Sequence, residues 1–213
     1  MLKHKHILHL RKYVWDITAL SIILLIASSA IVLTIVTSEI TFQNTRDVFL
    51  KIFTPLILTV IFHELVHVIT AIKLGYKVKV GYGRIKFNPV FYVKVVGGIK
   101  KKHYIAITLS PLIILSSTSI VLASIMPNVL IKEILSILFI MNTAGSSGDI
   151  LLALSASKIP GEALIEDYGT MIVSDKLIPR PYSEKISLLI RILTLLIIVA
   201  TIILFKVKVV MVK

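Results

Sequence analysis

Five long apolar runs restrict this chain more than any other feature. Each is close to the roughly 20 residues that an α-helix needs to cross a hydrocarbon layer about 30 Å thick. The chain has 213 residues, of which 56% are hydrophobic and only 16% are charged. The sequence therefore predicts an all-α membrane bundle of about five transmembrane helices, forming a single integral membrane domain over residues 1–213. The predicted helices cover residues 17–37, 52–72, 104–125, 134–157 and 186–205.

The charge balance excludes two other classes of protein. Lys and Arg number 24 against 11 Asp and Glu, which gives a formal net charge of +13. A disordered chain would combine such a charge with low hydrophobicity, and this chain is strongly apolar. A soluble nucleic-acid-binding protein needs more polar sequence to carry its basic surface. There is no cysteine, which excludes disulfides, thiolate zinc sites and a cysteine nucleophile.

The distribution of cationic residues predicts the orientation. If the five runs alternate across a bilayer, 17 of the 24 Lys and Arg residues fall on the side of the N-terminus, six on the other side, and Arg191 lies within the fifth run. Short cytoplasmic loops carry the excess of Lys and Arg. We therefore expect a multi-pass protein of the cell membrane with a cytosolic N-terminus.

The second run carries a motif that suits a metal ion. It reads H-E-L-V-H, with His63 and His67 one helical turn apart on the same face and Glu64 about 100° around the helix. Two imidazoles so placed can bind one zinc ion, while the carboxylate can reach a water molecule without being a ligand. The alternative is a polar pair satisfied by neighbouring carbonyls or by water. Charge within an apolar helix is costly, so we favour the functional interpretation.

Asp149 in the fourth run is the best candidate for a third zinc ligand. His67 and Asp149 lie about 9 and 13 Å from the cytosolic ends of their predicted helices, at 1.5 Å per residue. They are therefore level to within about one turn. Asn142, Ser146 and Asp149 share one polar stripe, and the small residues 145–148 would let two helices approach closely. The alternative is that this segment only packs, with Asp149 bound to a hydroxyl group.

Other titratable residues are expected to have ordinary roles. The acids within residues 162–167 could reach the metal from a loop, but loop acids are usually solvated. Asp16 borders the first run and is expected to cap it or to pair with Arg11 or Lys12. The histidines within residues 4–9 are typical of a solvated tail that binds metal loosely at most.

Two of the predicted cytosolic loops contain β-like sequence. Residues 75–102 alternate apolar and polar side chains around Asn88-Pro89, which predicts a small cytosolic β-hairpin between the second and third helices. The hairpin, at residues 78–96, could hold an unwound substrate as an added strand. Alternatively, its lysines bind anionic lipid headgroups. In the loop of residues 157–183, residues 170–173 form a second β-like run.

Several of these motifs together resemble a known family. They are H-E-L-V-H in one helix, the basic hairpin after it, Leu109-Ser110-Pro111 in the next helix, and the run N-T-A-G-S-S-G-D ending at Asp149. This set resembles the membrane family described as putative zincin peptidases, which is similar in layout to the site-2 proteases. The resemblance covers residues 50–173.

The resemblance implies a role for each matching residue. It implies His63, His67 and Asp149 as zinc ligands and Glu64 as catalytic base. The site-2 proteases carry their acidic ligand in an Asp-Gly motif, whereas Asp149 follows a glycine and precedes Ile150. The match is therefore to the zincin peptidase subgroup.

The predicted function is that of an intramembrane zinc metalloprotease, which hydrolyses peptide bonds near the cytosolic side of the membrane. Glu64 would take a proton from water and pass it to the leaving amine. Asn142 would contact the substrate or the developing oxyanion. The expected partners are the lipid bilayer and a membrane-protein or peptide substrate, with no nucleic acid. Two alternatives stay open at this point: a non-catalytic metal-binding membrane protein, and a pseudo-protease that binds membrane helices without cutting them.

Overall fold

Helices form most of the fold. The computed structural model describes residues 6–36, 40–85, 88–169 and 171–204. The helices are α1 (Val14–Ile35), α2 (Thr45–Val48), α3 (Thr54–Lys73), α4 (Lys101–Ser110), α5 (Ser116–Ile125), α6 (Val129–Gly145), α7 (Ser147–Ser157) and α8 (Glu184–Leu204). The strands are β1 (His6–His9), β2 (Val78–Ile85), β3 (Asn88–Val95), β4 (Ile99–Lys100), β5 (Leu164–Asp167) and β6 (Met171–Ser174).

Four helical stretches within the described residues are long and apolar enough to cross a membrane. They are Leu10–Ile35, Thr45–Lys73, Lys101–Ile125 and Glu184–Ile202, and α6 with α7 makes a fifth if that bent pair is one span. Their outer faces stay apolar, as on α8, where Leu189, Leu196 and Ile202 are all exposed. Apolar surface of this extent is typical of contact with lipid. The prediction of a mostly helical protein with four or five candidate membrane-spanning helices is confirmed, and its orientation stays a prediction.

The fourth predicted helix is bent where it was expected to be continuous. The axes of α6 and α7 differ by 40°, and the break falls at Ser146. The backbone N–H and the hydroxyl of Ser146 both donate to the Asn142 carbonyl, at 3.0 and 2.8 Å, at the end of α6. A Cβ added to Gly145 or Gly148 would touch nothing within 4 Å, so neither glycine serves the expected close approach of helices. The bend instead places Asp149 in the first turn of a new helix.

A four-stranded antiparallel sheet adds to the predicted bundle. Its order is β1-β6-β5-β4, so the N-terminal segment pairs with a strand more than 160 residues away, with Ile7 opposite Val173. His6–His9 therefore form a strand and not the expected free tail, although both histidine side chains are exposed as expected. The buried Ile99, Ile165 and Ile172 of this sheet share one core with residues of α4 and α7. The sheet thus covers one end of the helices.

The hairpin between α3 and α4 is a separate two-stranded sheet. Strands β2 and β3 pair antiparallel from Val78 opposite Val95 to Ile85 opposite Asn88. Asn88 therefore begins the second strand instead of lying at the centre of the turn, and residues 86–87, between the two strands, lie outside the described residues. Gly75 joins α3 to this sheet with φ of +84°, a conformation that costs glycine little.

Candidate metal centre

Helix α3 presents its two histidines side by side. Their ring centroids are 4.9 Å apart and their planes meet at 79°. The two Nε2 atoms are 3.2 Å apart. Because residues i and i+4 of a helix lie on the same face, the H-E-L-V-H sequence alone produces this approach.

Asp149 completes a group of three side chains. Its Oδ2 lies 3.0 Å from Nε2 of His63 and 3.8 Å from Nε2 of His67. The three ligand atoms all lie within 4.8 Å of one another. Oδ2 is buried and accepts no hydrogen bond from any of the described residues. A buried carboxylate oxygen without a donor is costly, so this atom needs a partner.

The orientation of the His63 ring is fixed through Asn142. Nδ2 of Asn142 donates to the Pro111 carbonyl at 2.9 Å and to Oγ of Ser116 at 2.8 Å. Its Oδ1 therefore faces Nδ1 of His63, at 2.9 Å. Since an amide oxygen can only accept, Nδ1 carries the proton and the neutral ring has its lone pair on Nε2.

His67 is held in the same tautomer by a different group. Its Nδ1 lies 2.8 Å from the Ile107 carbonyl, which can only accept. The lone pair of the neutral ring is therefore on Nε2. Both imidazoles thus present a lone pair to the carboxylate of Asp149.

This donor set fits a zinc ion. Zinc takes imidazole nitrogen and carboxylate oxygen at about 2.0–2.1 Å, so tetrahedral ligands lie roughly 3.3–3.4 Å from each other. The observed separations are 3.0, 3.2 and 3.8 Å. Three protein ligands leave one tetrahedral position open, as in catalytic zinc sites. Each imidazole also donates its other N–H to an oxygen, which is typical of metal-binding histidines.

A cavity of about 180 Å³ opens onto the three side chains. Glu64 lines it and is exposed, so its carboxylate is accessible to water and to a substrate. Val95 and Ile99 line it from the two sheets, and Thr108 lines it from α4. Another cavity, of about 390 Å³, lies between α1 and the start of α8, and none of the predicted ligands lines it.

Asp167 is a cavity residue whose place the sequence did not indicate. It was expected to be a solvated loop acid, but it ends strand β5 and lines the cavity beside the histidines. Its carboxylate accepts from the Tyr104 hydroxyl at 3.0 Å and from the Gly169 N–H at 2.7 Å. Burial raises the pKa of Asp167, although both hydrogen bonds oppose that rise. The only sequence signal was the turn that begins at Asp167-Tyr168-Gly169.

The structure brings most of the predicted site residues together. His63, His67, Asp149 and Asn142 are in contact, and Glu64 lines the same cavity. In this arrangement both polar atoms of the Asn142 amide are engaged, and the side chain is fully buried. Its predicted contact with substrate or oxyanion stays a prediction.

Comparison with known proteins agrees with this geometry. A protein of Pyrococcus woesei, described as "Uncharacterized 24.7 kDa protein in gap 5'region", is 37% identical over 183 residues, which cover 84% of this chain and 78% of the relative. No solved structure matches the chain. The sequence model of the family described as "Putative zincin peptidase" matches residues 56–164, which include H-E-L-V-H and Asp149. The chain therefore belongs to this zincin peptidase family, whose description implies a zinc-dependent metallopeptidase.

Proposed function

We propose that this protein is an intramembrane zinc metalloprotease of the site-2 type, with His63, His67 and Asp149 as zinc ligands. One observation carries the proposal. Two imidazole lone pairs and an unpartnered carboxylate oxygen face each other across 3.0–3.8 Å. When both imidazoles are neutral, such an arrangement is repulsive unless a cation lies between the three atoms.

Glu64 is the general base of the proposed reaction. Zinc in such a site supplies Lewis acidity, which makes water a better nucleophile and polarises a peptide carbonyl. Glu64 follows a ligand directly in α3, and its carboxylate lines the cavity without a fixed partner among the described residues. It can therefore take the proton of the attacking water and give it to the leaving amine.

The proposed substrate is a membrane protein or an apolar peptide. Both histidines lie within the apolar stretch Thr45–Lys73, and Asp149 lies in the bent pair that could form a fifth span. A helical substrate has its carbonyls bonded to its own N–H groups, so it must unwind before it can be cut. Strands β2 and β3 pair only with each other among the described residues, which leaves backbone edges for an added strand. Val95 at the end of β3 lines the cavity, which supports this route.

The decisive test compares two variants in which an amide replaces a carboxylate. Each is co-expressed with membrane proteins to follow cleavage, and is then purified and loaded with zinc for metal analysis. Glu64→Gln should retain one zinc per chain and lose cleavage of co-expressed membrane proteins. Glu162→Gln is the matched control, because Glu162 is an exposed acid of the loop before β5. Full proteolysis by Glu64→Gln would contradict the assignment. Stoichiometric zinc without any Glu64-dependent cut would favour the non-catalytic alternatives.

The proposed orientation has its own test. We place the N-terminus and the metal centre toward the cytosol of the cell membrane, in line with the excess of Lys and Arg. The chain has no cysteine, so single cysteines can be introduced and labelled without a background. A cysteine at Lys102 should be shielded from a membrane-impermeant thiol reagent in intact cells, and one at Lys132 should react. The reverse pattern would overturn the orientation.

A further inference from the structure

Pro111 lies next to the hydrogen bonds that orient both histidines of the proposed zinc site. Helix α4 ends at Ser110 and continues without a break into the π-helical turn Pro111–Leu115. Both residues keep helical backbone angles, with φ of −59° at Ser110 and −66° at Pro111. Pro111 is therefore inside a continuous helical stretch, where its ring normally costs stability.

The missing N–H of Pro111 leaves one carbonyl free for His67. In a regular helix the N–H of residue 111 would bond to the carbonyl of Ile107, four residues before it. Proline has no N–H, and its ring crowds that same carbonyl. The Ile107 carbonyl instead accepts from Nδ1 of His67 at 2.8 Å and from Oγ of Ser110 at 2.7 Å. An imidazole thus occupies the place of a backbone donor.

The carbonyl of Pro111 orients the other histidine, His63, through Asn142. It accepts from Nδ2 of Asn142 at 2.9 Å, and Oδ1 of the same amide accepts from Nδ1 of His63, also at 2.9 Å. Pro111 and Asn142 are both fully buried, so water does not compete for these bonds. Pro111 therefore orients both histidines. Its missing N–H leaves the Ile107 carbonyl to His67, and its own carbonyl holds Asn142, which orients His63.

We propose that Pro111 is a positioning residue that fixes the tautomer and the direction of both histidine ligands. The proposal rests on the proposed zinc site. It goes further by naming what prepares that site. The helix gives up a regular backbone hydrogen bond at Ile107, so that His67 carries its proton on Nδ1, and the Pro111 carbonyl holds Asn142, which does the same for His63. Both rings then aim a lone pair at Asp149. Groups that orient metal ligands in this way typically change metal affinity about 10–100-fold.

The test is Pro111→Ala in the full-length protein. Alanine restores an N–H at position 111, which can bond to the Ile107 carbonyl in competition with His67. We expect zinc affinity, measured by chelator competition, to fall about 10–100-fold. The free energy of unfolding of the metal-free protein should not fall, because alanine favours a helix and proline opposes it. A merely structural proline would give the opposite change in stability.

The matched control is Pro55→Ala. Pro55 is also buried and also lies in a helical stretch, but two turns before His63 and without a contact to a ligand histidine. The zinc affinity of Pro55→Ala should match that of the unsubstituted protein. An equal loss in the two variants would mean that removal of any buried proline disturbs the site, and would overturn the proposal.

A measurement without zinc separates this proposal from the proposed function. In the metal-free protein, ¹⁵N NMR of the imidazoles should show Nδ1 protonated on both His63 and His67 at a pH where they are neutral. Pro111→Ala should give His67 a mixture of tautomers. Unchanged single tautomers in the variant, or protonated Nε2 in the unsubstituted protein, would overturn the proposal whether or not zinc binds.

Discussion

Two aspartates of this protein, the buried Asp16 and the partly buried Asp149, have opposite surroundings. Asp16 of α1 accepts from Oγ of Ser187 and from Nε of Arg191, both at 2.7 Å. It has both a positive charge and hydrogen-bond donors from α8. Asp149 faces two imidazole nitrogens that carry lone pairs, and its Oδ2 accepts no hydrogen bond within the described part of the chain. The first carboxylate is neutralised by a cation of the protein itself, whereas the second lies among side chains that could hold a metal ion.

The difference separates a structural role from a functional one. Asp16 joins the first and last long helices. Its charge is balanced by the guanidinium of Arg191, which is itself partly exposed. A protein that only needed stability could have paired Asp149 in the same way. A donor set left incomplete while its histidines are held in a fixed tautomer is typical of a metal site.

The largest effect is expected from Asp149→Ala. Removal of a ligand should reduce zinc affinity by more than about 100-fold, beyond the effect of losing an orienting group. Cleavage should be lost with the metal. The metal-free variant should unfold no more easily than the unsubstituted protein, because an unpartnered buried carboxylate has been removed. Zinc titration and denaturant unfolding measure the two quantities, and a large loss of metal-free stability would break the comparison.

Glu64→Gln should slow cleavage about 10²–10⁴-fold, the usual contribution of general acid–base catalysis. Zinc affinity should not change, because Glu64 is not one of the three convergent side chains. Single-turnover cleavage together with zinc analysis of the same sample checks both parts. Loss of zinc together with activity would make Glu64 a ligand rather than a base.

Asp16→Ala should show the reverse pattern to Asp149→Ala. It leaves Arg191 unpaired, and we expect a loss of about 2 kcal/mol in the free energy of unfolding, reduced from the fully buried case because Arg191 is 42% exposed at its side chain. Zinc affinity should stay as it is. Thermal unfolding in detergent and chelator competition measure these. A loss of zinc without a loss of stability would remove the distinction between the two aspartates.

Asp167 provides a third and smaller case, with donors but no cation. Burial raises the pKa of Asp167 above its ordinary value, so the folded protein binds a proton more tightly than the unfolded chain. The contribution of this group should therefore weaken the fold as pH rises from the ordinary carboxyl pKa through the raised one. Asp167→Asn should remove this part of the pH dependence of unfolding. If Asp167→Asn left the pH dependence of the free energy of unfolding unchanged, ionisation of Asp167 would not destabilise the folded protein.

The sequence was most informative where chemistry follows local spacing. His63 and His67 could be paired because helical periodicity alone places them together. Asp149 could be added because its depth in an apolar run matched theirs. These inferences needed no knowledge of how the helices pack.

Features that depend on distant partners could not be predicted. Asp16 was expected to cap its helix or to pair with Arg11 or Lys12, yet its cation is Arg191, 175 residues away. The four-stranded sheet joins the N-terminal segment to a strand more than 160 residues further along the chain, and no local pattern gives that register. The break at Ser146 and the position of Asp167 in the cavity arise from packing between elements, which the sequence of one segment does not encode.

The metal content of the purified protein tests the central claim most directly. Elemental analysis should find one zinc per chain in the unsubstituted protein and in Asp16→Ala, and essentially none in Asp149→Ala. That result would show that the unpaired aspartate, and not merely a buried one, holds the metal. Absence of zinc from the unsubstituted protein after zinc loading, or equal zinc in Asp149→Ala, would contradict the account.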